Sequence, residues 1–319
     1  MLRSSLLAAS RSATLRRFVE HNPLAAAVVA RFVAGTEPTD ALGVAGELAG
    51  QGLTVSLDRL GESVTDTGEV RETVTAYREL LAALADTGLA GNVEISVKLS
   101  ALGLCLPGRP RQEHGGIADG ERIALDAARQ ICRAAPSAGT TVTVDMEDHT
   151  TVDATLRTLR ELRADFPWVG GVLQAYLRRT ETDCAELATA GSRVRLCKGA
   201  YREPDSVAFG RKTDVDLSYI RCLKTLMSSK AYPMIATHDP RLIAIAEALA
   251  VEHGRAPSEY EFQMLHGVRP EEHRRLAESG HTVRVYVPYG RDWYPYFMRR
   301  LAERPANVGF FLRSLVTRS

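Results

Sequence analysis

The chain has 319 residues, 45% hydrophobic and 25% charged, which is the composition of an ordinary globular protein and excludes a disordered tail, a collagen and a small disulfide scaffold. Forty basic residues against thirty-nine acidic ones leave a net charge of +1, so no global field recruits nucleic acid or an anionic membrane. Only five of the forty basic residues are lysines: Lys98, Lys198, Lys212, Lys224 and Lys230.

The first nineteen residues carry four arginines and no acid. That pattern superficially suits a transit peptide, but it runs into a further helical stretch with no apolar h-region or cleavage signal. An amphipathic terminal helix able to touch a membrane surface is the expected form. After residue 50, short β-branched runs alternate with stretches whose apolar residues recur every three or four positions. Strands are expected at Leu53–Leu57, Val93–Leu99, Thr141–Asp145, Val172–Tyr176, Val194–Cys197, Met234–Thr237, Tyr260–Leu265 and Val283–Val287. Helices are expected between them, among others at Glu69–Asp86, Glu121–Arg133, Thr151–Leu162, Leu217–Ser229 and Arg241–Glu252. Thr180 followed by Asp183 reads as a capping box, and Asp239-Pro240 as an N-cap before proline at the first helical position.

Eight strands alternating with helices imply a distorted (β/α)8 barrel over residues 51–319, preceded by a helical arm over residues 1–50. The Rossmann form of the competing open sheet lacks its G-x-G-x-x-G sequence here, and no Walker A sequence occurs. Cys105, Cys132, Cys184, Cys197 and Cys222 are odd in number and form no C-x-x-C pair, which points away from a disulfide framework or zinc knuckle and toward a reducing compartment. No apolar run approaches the roughly 18 residues of a membrane span.

A barrel places its active site at the carboxyl ends of its strands. Those ends carry Lys98, Asp145, Gln174, Arg195 with Lys198, Thr237-His238, Gln263 with His266, and Tyr286. One such residue would ordinarily be a structural ion pair, but seven polar strand ends at one mouth suggest a site. In the last helix Tyr296 stands three and four residues before Arg299 and Arg300, and Glu303 three and four after them, so parts of these side chains share a face. Paired arginines on a helix are usually solvated surface. Near the mouth, guanidinium forks suit a carboxylate or phosphate.

Three other readings fit some of these residues. Lys98 or Lys198 would suit a Schiff-base aldolase if apolar burial or a cationic neighbour depressed its pKa. Asp145, Glu147, Asp148, His149, His238 and His266 are donors for a metal hydrolase, although their spacing matches no defined zinc signature and His149 is expected to start a helix. A non-catalytic module docking through the basic terminal helix is the third.

The ordered segments Ser96-Val-Lys98-Leu-Ser100, Val144-Asp145-Met-Glu-Asp148, Gln174-Ala-Tyr176, Arg195-Leu-Cys-Lys198-Gly-Ala-Tyr201, Ala236-Thr237-His238-Asp239, Glu261-Phe-Gln263-Met-Leu265-His266-Gly267 and Arg284-Val-Tyr286-Val-Pro288-Tyr-Gly290, with Tyr296, Arg299-Arg300 and Glu303, resemble the proline dehydrogenase family. With Asp58-Arg-Leu-Gly-Glu62 the resemblance spans residues 58–313. It implies an FAD-dependent enzyme that oxidises L-proline to 1-pyrroline-5-carboxylate and passes electrons to a membrane quinone. Lys98, Arg299 and Arg300 are carried over as the carboxylate clamp; three cations around one anion would repel one another when empty, so Asp145 is expected to hold Lys98 by an ion pair and Glu303 to do the same for an arginine. Tyr286, Tyr296 and Leu265 match positions that enclose the proline ring. Arg195 matches the cation beside the reactive flavin nitrogen. Met146, Gln174, Lys198, Gly199, Ala200, Thr237 and His238 match flavin-holding positions.

One departure is Arg202-Glu203, where the family often has an aromatic residue after the tyrosine. The length resembles the monofunctional form, so a separate pyrroline-5-carboxylate/glutamate-semialdehyde dehydrogenase is the expected consumer of the product. A cytoplasmic protein peripheral to the inner membrane is the expected setting.

Overall fold

The computed structural model describes residue 17 and residues 23–61, 64–107 and 119–303. Most of the basic terminal segment and Glu62 lie outside the described residues, and of Glu303 only the backbone is described. The element order is α1 (Pro23–Ala30), α2 (Pro38–Gly50), β1 (Thr54–Arg59), α3 (Thr67–Ala85), β2 (Val93–Val97), α4 (Asp119–Ala134), β3 (Val142–Val144), α5 (Val152–Asp165), β4 (Gly170–Gln174), α6 (Thr180–Leu187), β5 (Arg193–Cys197), α7 (Lys212–Ser228), β6 (Tyr232–Ala236), α8 (Pro240–Glu252), β7 (Glu261–Leu265), α9 (Pro270–Glu278), β8 (Val283–Tyr289) and α10 (Trp293–Glu303). The eight strands are parallel neighbours in chain order, and β1 closes on β8 with Ser56 opposite Tyr286. This is the (β/α)8 barrel with a preceding helical arm that the alternation of runs predicts. Among the described residues no helix is long and apolar enough to cross a membrane.

Successive strand residues point to opposite faces of a sheet, and outside β4 and β6 these strands alternate polar with apolar residues. Val55, Leu57, Ile95, Val97, Val142, Val144, Val194, Leu196, Phe262, Val283, Val285 and Val287 are buried in the main core. Their neighbours Ser56, Glu94, Ser96, Thr143, Arg195, Glu261, Gln263 and Arg284 are also buried. These polar residues bond one another across the barrel, as Arg195 of β5 does to Ser56 of β1 and Glu94 of β2, so they fill its interior. Branched aliphatic side chains ordinarily fill that space.

Three expectations shift. β4 begins at Gly170, two residues before the β-branched run, because Gly170 and Gly171 pack where a Cβ would meet Thr143 Oγ1 at 2.5 Å and Leu159 Cδ2 at 2.3 Å. Its last predicted residues, Ala175 and Tyr176, instead lead into the loop. The Thr180/Asp183 capping box does not form: the Thr180 hydroxyl donates to Gln174 O, and Asp183 binds the Arg179 guanidinium at 2.8 Å. His149 lies three residues before α5, which starts at Val152. The Asp239-Pro240 start of α8 is as read, with Asp239 accepting from Arg241 N at 3.1 Å.

The arm fixes the last helix. Val28, Phe32 and Val33 pack with Trp293, Phe297, Met298 and Leu301 in a second apolar cluster, and the Phe32 and Phe297 rings lie 6.4 Å apart. Ala34 N donates to Pro288 O and Gly290 N to Gly35 O, both at 2.9 Å. The arm is thereby tied to the turn from which α10 departs.

Candidate active site at the barrel mouth

β2 and β3 end one residue before Lys98 and Asp145, so both side chains project from the carboxyl rim. Lys98 is 8% exposed and Asp58, at the end of β1, is 1% exposed. The Lys98 ammonium lies 2.6 Å from both Asp58 carboxylate oxygens and 3.6 Å from Asp145 Oδ2. Its main carboxylate is therefore Asp58, whereas charge balance in the expected clamp suggests Asp145. Tyr286 joins the two halves: its hydroxyl donates to Asp145 Oδ2 at 2.7 Å and stands 3.4 Å from Lys98 Nζ. Asp145 Oδ1 in turn accepts from Arg195 Nη1 at 2.6 Å. Asp58, Lys98, Tyr286, Asp145 and Arg195 thus form one continuous chain.

Burial pushes the Asp58 carboxyl above its ordinary pKa of 3.8, against the pull of Lys98 and with the neighbouring Asp145 adding to the rise. Burial also drives the Tyr286 phenol well above 10.0, helped by Asp145 and Asp58, so the phenol keeps its proton and remains a donor. For Arg195, burial works against the charge, but Asp145 and Glu94 outweigh it and hold the guanidinium protonated.

Beneath this chain lies a second ionic layer. Glu94 accepts from Arg195 Nη2 at 2.8 Å and from Arg193 Nη2 at 2.9 Å. Arg284 Nε lies 3.9 Å from Glu94 and donates to Glu261 at 2.8 Å. Burial alone would raise the Glu94 pKa, yet Arg284, Arg193 and Arg195 lower it from 4.5 to about 2. Asp58, Glu94, Asp145 and Glu261 match Lys98, Arg193, Arg195 and Arg284 one for one, so this interior set is neutral.

A third cluster sits at the ends of β5 and β6. Lys198 Nζ lies 2.6 Å from Asp216 and 3.0 Å from Asp239, and Lys212 and Arg241 reach the same two carboxylates at 2.8 and 3.2 Å. Three cations thus face two carboxylates where α7 and α8 begin. Lys212 and Arg241 are 65% and 70% exposed in their side chains. Lys198 opens the turn through Gly199, whose φ of +110° belongs to the left-handed region; a Cβ there would meet the Tyr176 ring at 2.2 Å. Ala200 continues the same loop.

Thr237 is buried, and its hydroxyl accepts from Asp239 N at 3.1 Å. His238 Nε2 accepts from Leu265 N at 2.9 Å, which places the ring proton on Nδ1 and couples β6 to the end of β7. Met146 is buried beside Asp145. Gln174 donates its amide to Glu147 O at 2.6 Å, tying β4 to the loop after β3. On α10 the Arg300 guanidinium lies 5.1 Å from the centre of the Tyr296 ring, and Arg299 is half-buried.

Most of the hydrolase donors are engaged otherwise. Glu147 accepts from Ser100 N at 2.9 Å, Asp148 from Thr150 N at 2.9 Å, and His149 meets Glu203. Among the described residues no three His, Cys, Asp or Glu side chains are grouped to hold an ion. A Schiff-base lysine needs an uncharged amine, whereas Lys98 and Lys198 each lie between two carboxylates. The sequence assigns no role to Asp58, Glu261 and Arg284, although each opens a matched segment, and does not single out Glu94, although the alternation in Val93-Glu94-Ile95-Ser96-Val97 and Val283-Arg284-Val285-Tyr286 marks one polar face on each strand.

A sequence model described as proline dehydrogenase matches residues 41–313. Proline dehydrogenase 1 of Bacillus subtilis (strain 168) is 37% identical over 316 residues, covering 99% of both chains. Proline dehydrogenase of Deinococcus radiodurans is 38% identical, covering 90% of this chain and 89% of its own. Among solved structures, proline utilization A (PutA) from Bdellovibrio bacteriovorus superposes with a TM-score of 0.78 at 24% identity, over 88% of this chain and 33% of that one. A mutant PutA from Bradyrhizobium japonicum gives 0.70 at 26% identity, over 92% of this chain and 32% of that one. The barrel, its charged mouth and these matches lead to one conclusion: the chain belongs to the proline dehydrogenase family of oxidoreductases.

Proposed function

We propose that the chain oxidises L-proline to 1-pyrroline-5-carboxylate with FAD as its resident cofactor and a membrane quinone as the final acceptor. The observation that carries this reading is the buried Asp58–Lys98–Tyr286–Asp145–Arg195 chain at the mouth of a family barrel. The donor set suits FAD. Three cations against two carboxylates at the starts of two helices provide the surplus positive charge and the backbone dipoles that a pyrophosphate needs, and Gly199 lets the backbone turn closely where Lys198, Gly199 and Ala200 would hold the ribityl portion. Met146 would contribute backbone, and Gln174, Thr237 and His238 side chains, to the same cofactor. When bound, FAD would supply the acceptor for the hydride that leaves the proline ring carbon next to nitrogen.

The chain's own residues supply positioning and charge. Lys98, Arg299 and Arg300 hold the substrate carboxylate. Asp58 and Asp145 keep Lys98 aimed, since an ammonium gripped from two sides loses little rotamer freedom when substrate arrives. Tyr286, Tyr296 and Leu265 wall the ring and exclude water. Arg195, held protonated and buried, would supply a fixed positive charge to the reactive end of the flavin. The arm at residues 1–50 with the barrel at 51–319, a cytoplasmic location peripheral to the inner membrane, and a separate pyrroline-5-carboxylate/glutamate-semialdehyde dehydrogenase downstream belong to the same reading.

Anaerobic titration of the purified protein with L-proline should bleach a flavin absorption band. A flavin-loaded protein whose band persists under excess proline would overturn the assignment. Arg300→Met should raise the KM for proline at least tenfold, about 1.4 kcal/mol of lost carboxylate binding, with the flavin spectrum unchanged; an unaltered KM would remove Arg300 from the clamp.

A further inference from the structure

Glu203 lies in the loop after β5, in the dipeptide where the sequence departs from the family pattern. Its side chain is only 2% exposed. The carboxylate accepts from His149 N at 3.0 Å, meets His149 Nδ1 in a short contact through its other oxygen, and accepts from the Tyr176 hydroxyl at 3.1 Å. His149 belongs to the loop after β3 and Tyr176 to the loop after β4. Three consecutive mouth loops therefore converge on one buried carboxylate, and burying such a group is costly unless its hydrogen bonds are made.

Each partner leads to a stretch assigned above to the cofactor. Tyr176 N donates to Lys198 O at 2.8 Å, and its own carbonyl accepts from Phe209 N at 2.7 Å. Its ring fills the space beside Gly199 where a Cβ would stand, so the ring's position governs the backbone of residues 198–200. His149 follows Met146 by three residues, and between them Glu147 receives Gln174 Nε2 at 2.6 Å. Holding His149 and Tyr176 on one carboxylate thus sets the distance between the loop carrying Met146 and the loop carrying Lys198, Gly199 and Ala200.

We propose that Glu203 is a positioning residue for the cofactor: its carboxylate is a clasp that holds the β3, β4 and β5 loops in their flavin-binding arrangement. This rests on the FAD reading and deepens it. Without the clasp the loops would have to be ordered by the flavin itself, and apparent affinity falls in proportion to the fraction of molecules already in the competent arrangement.

The test measures FAD dissociation from the holoenzyme by flavin fluorescence, together with thermal midpoints at saturating FAD. Glu203→Ala should weaken FAD binding at least about tenfold, the scale of one lost hydrogen bond to a charged group. His149→Ala and Tyr176→Phe, which each remove part of the clasp, should weaken it about threefold. Glu203→Gln keeps acceptor oxygen for His149 N or the Tyr176 hydroxyl and should stay within about threefold of the parent. Midpoints at saturating FAD should remain close to the parent value in all four, because none of the substitutions removes apolar core volume: the Tyr176 ring, which packs in the main core, is kept in Tyr176→Phe.

FAD affinity unchanged in Glu203→Ala would overturn the clasp. So would equal falls in midpoint at saturating FAD and in affinity, which mark a general loss of stability. If Glu203→Ala does not fold, unchanged affinity in both His149→Ala and Tyr176→Phe would overturn it instead. A parent protein that binds no FAD would fell the cofactor reading and the clasp with it, whereas a parent that binds FAD with unaffected variants would fell the clasp alone.

Discussion

Glu94→Ala is expected to cost about 3–5 kcal/mol of stability, the usual penalty for breaking a buried ion pair from one side. The carboxylate is fully enclosed and accepts from Arg193 and Arg195 while Arg284 stands 3.9 Å away. Removing it leaves three guanidiniums facing one another, only partly compensated by Asp145 on Arg195 and Glu261 on Arg284. The acid limb gives an independent measure. The Glu94 pKa is lowered from 4.5 to about 2, so its contribution is complete above 4.5 and is lost as pH falls toward about 2. Linkage puts that contribution at about 3 kcal/mol. Asp58 has the opposite sign: its raised pKa means that folding opposes its charged form, and acid relieves that opposition. Urea unfolding midpoints at neutral pH and near pH 3 would show the pattern, with Glu94→Gln losing stability at neutral pH and showing a flatter acid limb. A loss under about 1 kcal/mol in Glu94→Ala would mean that the arginines swing out to solvent and that the interior layer is not obligatory.

That layer also shows what the sequence discloses and what it hides. The strands were legible because each has one strictly apolar face, Val93, Ile95 and Val97 in β2 for example, and the reading of eight runs led directly to a closed barrel. The β4 boundary was not legible: Gly170 and Gly171 carry no strand signal, and only the close approach of Thr143 and Leu159 calls for them. At the mouth, Lys98, Asp145, Arg195 and Tyr286 stood out as polar strand ends, and the structure joins them. Their partners depend on register. Asp58 stands opposite Ser96 across β1 and β2, two residues before Lys98, a proximity that no sequence spacing expresses. Arg195 and Glu94 meet across the barrel from strands that are not neighbours. Glu203 drew notice only as a departure from a pattern, because a carboxylate that binds three loops is defined by loop conformation.

Lys98→Met is expected to lower kcat/KM for proline by about 10²–10³, or roughly 3–4 kcal/mol, while the flavin band is retained. The ammonium is held by both oxygens of Asp58 and lies within reach of Asp145 and Tyr286, so its position is set before substrate arrives. Its removal has two consequences. The substrate carboxylate loses one of its three proposed cations, and two buried carboxylates, Asp58 and Asp145, are left without the charge between them. The second effect should bring a proton onto Asp58, whose pKa burial already raises, and Asp58→Asn separates the two. It removes the grip but keeps the ammonium, which can turn toward Asp145, now 3.6 Å away, so its loss should be about tenfold. Pyrrolidine, the same ring without a carboxylate, provides the internal control. The parent should prefer proline strongly, Lys98→Met should lose most of that preference, and Asp58→Asn should keep it. If Lys98→Met discriminates proline from pyrrolidine as well as the parent does, Lys98 organises the barrel mouth without touching the substrate carboxylate, and the clamp consists of the α10 arginines alone.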